Sequence, residues 1–160
     1  MSFRVASLMW HFRALAKVVS PLVLFGVLAF LENGCSNFNH EWRKAVASPV
    51  PIDNIQGAWQ GQWISDANGH NGELRCIVAK TNDETYLARF HAKYATIFSF
   101  GYTVPVKVER SPAAFQFSGE ANLGPFAGGV YRYDGHADAT NFFSNYSSKY
   151  DHGTFQMKRP

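Results

Sequence analysis

The chain has 160 residues, 46% hydrophobic and 16% aromatic, with fifteen Lys and Arg against twelve Asp and Glu, a formal net charge of +3. Arg4, Arg13, Lys17 and the single acid Glu32 fall in the first 34 residues, so the remainder stands at +1. That thin balance excludes the dense cation array a nucleic-acid backbone requires, and the length bounds the chain to one modest core.

Residues 1–34 read as an export signal or membrane anchor. Met1 to Lys17 is basic and free of acids, and Val18 to Leu31 is fourteen residues without a charge. A basic segment followed by an apolar one is the pattern export machinery recognises. The apolar run is short of the roughly 20 residues of an ordinary membrane span, and Pro21 interrupts it. Cys35 stands where a lipoprotein signal would end. Gly34 fits such a cut, whereas Glu32 and Asn33 do not. Two fates stay open: cleavage with lipidation of Cys35, or cleavage elsewhere (Ala45-Val46-Ala47 is a simple site) or retention as an anchor. Both put the protein in a bacterial cell envelope, membrane-anchored or periplasmic.

Residues 35–55 read as a tether. Ser48-Pro49-Val50-Pro51 favours extended backbone, and a brief helix over 40–47 is expected. Residues 56–160 form the folded domain, and their hydrophobic period is two. Tyr86, Ala88, Phe90, Ala92 and Tyr94 alternate with Leu87, Arg89, His91 and Lys93. Phe100, Tyr102, Val104, Val106 and Val108 alternate with smaller or polar neighbours, as do Phe115, Phe117, Phe155 and Met157. Alternate side chains of a strand point to opposite faces, so one face of each run is oily and the other wet. That places Cys76 indoors as an inert thiol, or in a bridge to Cys35 if the latter is not lipidated; it places His91 at the surface.

Turn residues punctuate these runs: Asn68-Gly69, Asn71-Gly72, Asn82-Asp83, Ser111-Pro112, Gly124-Pro125 and His152-Gly153. Strands are expected near 57–65, 72–80, 84–94, 97–109, 113–121, 127–136, 138–147 and 153–159. The fold class is therefore all-β: a single antiparallel up-and-down barrel of about eight strands, seven at the least, behind a signal or anchor and an extended tether. Eight strands leave room for side chains or for one small ligand. The bulky lining argues for a filled interior or at most a narrow pocket.

The first strand reads Gly57-Ala58-Trp59-Gln60-Gly61-Gln62-Trp63, two overlapping Gly-x-Trp triplets. This resembles the opening of calycin-type barrels, the lipocalin and avidin-like families. The resemblance implies a Trp closing the barrel base and an Arg from the last strand packed across it, with Arg159 over Trp59 or Trp63. It covers some seven residues and the strand count. No Trp follows Trp63, which argues against an avidin-like biotin site.

Metal chemistry has one candidate set, His136, Asp138 and His152, drawn from the similar tetrads Tyr133-Asp134-Gly135-His136 and Tyr150-Asp151-His152-Gly153. Two His and a carboxylate suit zinc, but the spacing matches no established motif. No Gly-x-Ser-x-Gly elbow is present, and the expectation is a protein that is not an enzyme and carries no cofactor. Nine Phe, seven Tyr and two Trp follow Ile55. Tyr131, Tyr133, Phe142, Phe143, Tyr146 and Tyr150 crowd the late segment, as an exposed strip or as a face buried by a neighbour. Trp59, Trp63, Phe100, Tyr102, Tyr131 and Tyr133 are the candidate ligand contacts. The expected function is non-catalytic binding of a small apolar or amphipathic molecule, in a barrel tethered to a membrane by its N-terminal segment. The alternatives are a structural module contacting another envelope protein and, more weakly, a metal-assisted enzyme.

Overall fold

The structure is a computed structural model that describes residues 37–49, 54–95, 98–112 and 114–160. The expected signal or anchor, Cys35 and the start of the tether lie outside the described residues.

Eight strands follow one another in the chain: β1 (Gly57–Ser65), β2 (Asn71–Lys80), β3 (Thr85–Tyr94), β4 (Phe98–Arg110), β5 (Phe115–Asn122), β6 (Val130–Ala137), β7 (Asn141–Ser147) and β8 (His152–Lys158). Each pairs antiparallel with the next, and β8 returns to pair with β1, from Gln60 opposite Lys158 to Ser65 opposite Gly153. Closure pairs the last strand with the first, so among the described residues the sheet has no terminal strand with a wholly open side.

β6 and β7 each begin three residues later than their side-chain pattern suggests, for local reasons. A 3-10 turn (Pro125–Ala127), followed by Gly128 and Gly129 at positive φ, delays β6 to Val130. Before β7, the Asp138 carboxylate accepts hydrogen bonds from the Thr140 and Asn141 amides, both at 2.7 Å, which closes a tight turn.

The alternation read from sequence becomes the inside and outside of the barrel. Trp59, Leu74, Cys76, Val78, Ala88, Phe90, Val104, Val106, Phe117, Tyr133, Ala137, Phe142, Tyr146, Phe155 and Met157 form one core. Cys76 is a free, fully buried thiol within it, and burial pushes its pKa up. Curvature comes from glycines where neighbouring backbones close in. A Cβ on Gly61 would stand 2.0 Å from the Gln156 carbonyl oxygen, and one on Gly135 2.1 Å from that of Phe143. Only glycine permits such an approach at a barrel corner.

The two ends differ. At the end where β1 begins and β8 finishes, Trp59 is wholly buried and fills the bore. Its indole N–H donates to the Ile55 carbonyl at 2.9 Å. Arg159 lies across it with the guanidinium carbon 3.7 Å from the ring centroid. The same guanidinium donates to the carbonyls of Gln56 (2.6 Å) and Asn54 (2.8 Å). This end is plugged, by the Trp and Arg that the barrel resemblance singled out, with Trp59 rather than Trp63 as the plug. Burial lowers the Arg159 pKa to about 10, so the side chain keeps its charge at neutral pH.

Residues 37–47 form a helix, α1, which takes in the brief helix expected over 40–47. Phe38, Trp42 and Ala45, spaced for one helical face, pack with Ala58 and Ile77 on the outside of the barrel. Phe38 stacks on His91 at 4.9 Å between centroids, Arg89 pairs with Glu41, and Arg75 lies over the Trp42 ring at 5.4 Å. His91 is thereby 7% exposed. Its expected surface position is corrected: alternation turned it outward, and α1 then covered it. Among the described residues no helix is long and apolar enough to cross a membrane.

Candidate functional site: the aromatic mouth

Opposite the plug, the bore opens into a cavity of about 420 Å³. Most of the walls are inward positions near the mouth ends of strands. β1 gives Trp63, β2 Leu74, β3 Ala92, β4 Phe100 and Tyr102, β6 Tyr131 and Tyr133, β7 Tyr146, and β8 Phe155. Leu123 and Ala127, from the β5–β6 connection, overhang one side, and Asp151 closes another. The floor is solid. Phe90 stacks against Tyr102 (5.2 Å) and tilts against Phe155 (5.3 Å), and below it Phe117 and Phe142 stack at 4.6 Å above the plug. The interior is thus filled over its lower part and hollow at the mouth, because Ala92 is small where its neighbours are aromatic.

Polar groups are few and aimed. The Tyr146 hydroxyl donates to Asp151 Oδ2 at 3.2 Å, and Ser65 donates to Asp151 Oδ1 at 2.6 Å. The Trp63 indole N–H donates to the Lys93 carbonyl at 3.0 Å, fixing the ring at the rim. Tyr102, Tyr133 and Tyr146 all have raised pKa values, with burial the leading cause; for Tyr146 the Asp151 carboxylate adds to it. These hydroxyls therefore stay protonated at physiological pH; that of Tyr146 is spent on Asp151, and those of Tyr102 and Tyr133 lie within reach of each other at the cavity wall. Such a lining suits an apolar or aromatic body carrying an acceptor group.

Five of the six candidate ligand contacts, Trp63, Phe100, Tyr102, Tyr131 and Tyr133, converge here. The sixth, Trp59, belongs to the plug at the other end. Tyr146, Phe155, Ala92, Leu74 and Asp151 were not singled out from sequence. Tyr146 was legible in principle: it stands directly opposite Tyr133 in register, and strict alternation through Phe142 and Ser144 carries it indoors. The crowded late aromatics are corrected accordingly. Tyr133, Phe142 and Tyr146 are buried in the bore and Tyr131 lines the cavity, so no exposed strip forms from them. Phe143 faces outward beside His136 (5.6 Å), and Tyr150 is exposed.

The metal set does not assemble. His136 stands opposite Phe143, which stands opposite Gln156, four residues along β8 from His152. Asp138 is committed to its turn, where the Thr140 and Asn141 amides hold its pKa down to about 2. Among the described residues no three of His, Cys, Asp and Glu come close enough to hold a metal ion.

Comparisons with protein-family models, curated proteins and solved structures returned no match.

Proposed function

We propose that this protein is an exported, membrane-tethered barrel of calycin type that binds a small apolar or amphipathic molecule in its aromatic mouth. The carrying observation is the cavity of about 420 Å³ at the open end of a bore plugged at the other. That volume falls within the roughly 300–1,000 Å³ of small-molecule sites. Kinship with calycin barrels is supported by eight strands in up-and-down order and by Arg159 lying across Trp59. Export and tethering are supported by the basic and apolar segments of residues 1–34 and by Cys35 after Gly34. The chemistry of the mouth is that of holding, with stacking faces and tyrosine donors. The Asp151 carboxylate at its edge is already bonded to Ser65 and Tyr146.

Native mass spectrometry of the full chain, released from detergent with dodecanoic acid present, tests the reading. One adduct per chain is expected. Ala92→Trp, which fills the cavity, and Ala127→Trp, which narrows the mouth from an exposed loop position, should each cut adduct formation about tenfold. Their unfolding midpoints should confirm that the barrel is intact. Adducts of equal yield in folded variants and wild type, or none in wild type, would end the proposal.

A further inference from the structure

The cavity at the mouth is uneven in charge. Seven of its thirteen lining residues are aromatic, and Asp151 is the only lining residue with a formal charge. Its carboxylate accepts from Ser65 through Oδ1 and from Tyr146 through Oδ2, both neutral hydroxyls. These bonds fix the group and leave its charge in place, and each oxygen keeps a second lone-pair direction. Among the described residues Asp151 forms no ion pair. Nearby lysines are engaged elsewhere. Lys149, two residues away in the chain, has its Nζ 5.2 Å from the centroid of the Tyr150 ring. Lys93, whose carbonyl holds the Trp63 indole at the rim, pairs with Glu73 at 2.9 Å.

Aromatic rings surround that carboxylate. The Tyr146 ring, bonded to Asp151 through its hydroxyl, stands 4.9 Å from Phe155 and 6.1 Å from Tyr131 between centroids, and Tyr133 stands 6.4 Å from Tyr131. An aromatic face carries negative potential and attracts a cation held against it, more strongly where water is excluded. Rings and carboxylate therefore act in the same sense. A small hard metal cation gains little here. It needs about six oxygen ligands, and the described residues bring no three of His, Cys, Asp and Glu together. An anionic head meets the charge of Asp151. An organic ammonium, weakly hydrated around its carbons, is favoured by both the walls and the carboxylate. The Tyr102 and Tyr133 hydroxyls can meet an acceptor on the ligand's body, whereas Asp151 selects its head.

We infer that the mouth cavity takes an organic ammonium ion, its apolar body among the aromatic walls and its cationic head against Asp151 and the rings of Tyr131 and Tyr146. This rests on the binding reading above and adds to it the charge of the ligand's head. A fatty acid enters by its chain alone; an alkylammonium adds the charged contact.

Isothermal titration calorimetry of the full chain in a non-ionic detergent, with octyltrimethylammonium and with octanol, tests it. Each probe is compared with itself across variants, so its partition into detergent cancels. Asp151→Asn keeps the size of the side chain and removes its charge. Tyr131→Leu keeps an apolar wall and removes the π face. Each should weaken octyltrimethylammonium about tenfold and leave octanol within about twofold. Melting temperatures establish that both variants are folded. Folded variants that leave octyltrimethylammonium unchanged, or that weaken the two probes alike, would overturn the inference. So would loss of the ammonium in Asp151→Asn that Ala92→Trp does not reproduce, since the cation would then lie outside the cavity. The two proposals fail separately. If dodecanoic acid and octanol bind and are lost in Ala92→Trp, while Asp151→Asn leaves the ammonium unaffected, the pocket stands and the cation falls. If none of the three probes binds, the pocket falls and the cation with it.

Discussion

At the scale of single residues, the plug shows how one cation can close a barrel end. Arg159 ties two carbonyls of the entering chain, Gln56 and Asn54, and covers Trp59 with its flat face. Arg159→Ala should destabilise the fold by about 2–4 kcal/mol, combining lost charge-assisted hydrogen bonds with a lost cation–π contact. Arg159→Lys should recover less than half of this, since an ammonium cannot spread over the ring and reach both carbonyls. Urea unfolding midpoints of the two variants decide it; a Lys variant as stable as wild type would reduce the contact to simple charge. The Trp and the Arg were legible through the resemblance of Gly57-Ala58-Trp59 to the opening of calycin-type barrels, which left Trp59 and Trp63 as alternatives. The cavity was less so. Its volume depends on Ala92 being small opposite large neighbours, and cross-bore distances are set by closure and register, which one-dimensional alternation does not specify.

At the scale of elements, α1 was legible as a short helix over 40–47, and its docking on the barrel was not. The spacing Phe38, Trp42, Ala45 is a helical stripe, but Pro49 and Pro51 dominate the same stretch and suggest an open tether. What the stripe packs against, the outward Ala58 and Ile77, looks solvent-facing until a helix lies over it. His91 reports that cover. Burial, with Arg75 and Lys93 nearby, lowers its pKa below the ordinary imidazole value of 6.5, so the folded protein favours the neutral ring. Arg89 and Glu41 also face it, from β3 and α1, and are paired to each other. The unfolded chain takes up the proton first on acidification. The stability owed to neutral His91 is therefore complete above about pH 6.5 and is lost as pH falls through that value toward the lowered folded pKa. His91→Gln should flatten the fall in melting temperature between about pH 7.5 and 5.5. Phe38→Ala should do the same by exposing the ring, while also costing about 2–3 kcal/mol of overall stability. An unchanged pH slope in both variants would mean that α1 does not cover His91 in solution.

At the scale of the whole molecule, the eight strands were legible to within a few residues because period-two alternation and Asn/Gly turns act locally. Closure is not local. It arises because strands in strict succession, bent at Gly61 and Gly135, bring β8 back to β1 with its inward face in phase: Trp63 opposite Phe155, and Gly61 opposite Met157. A slip of one residue at that seam would turn Phe155 and Met157 to water. The seam should therefore be as firm as the ladders formed by sequence neighbours. In native-state hydrogen exchange, the paired amides of β1 and β8 should open with free energies within about 1.4 kcal/mol, tenfold in rate, of those at the centre of β2 and β3. Exchange at β8 that is faster by orders of magnitude, with β2 and β3 still protected, would describe an open sheet. An open sheet would have no bore for Trp59 to plug and no mouth for a ligand to enter.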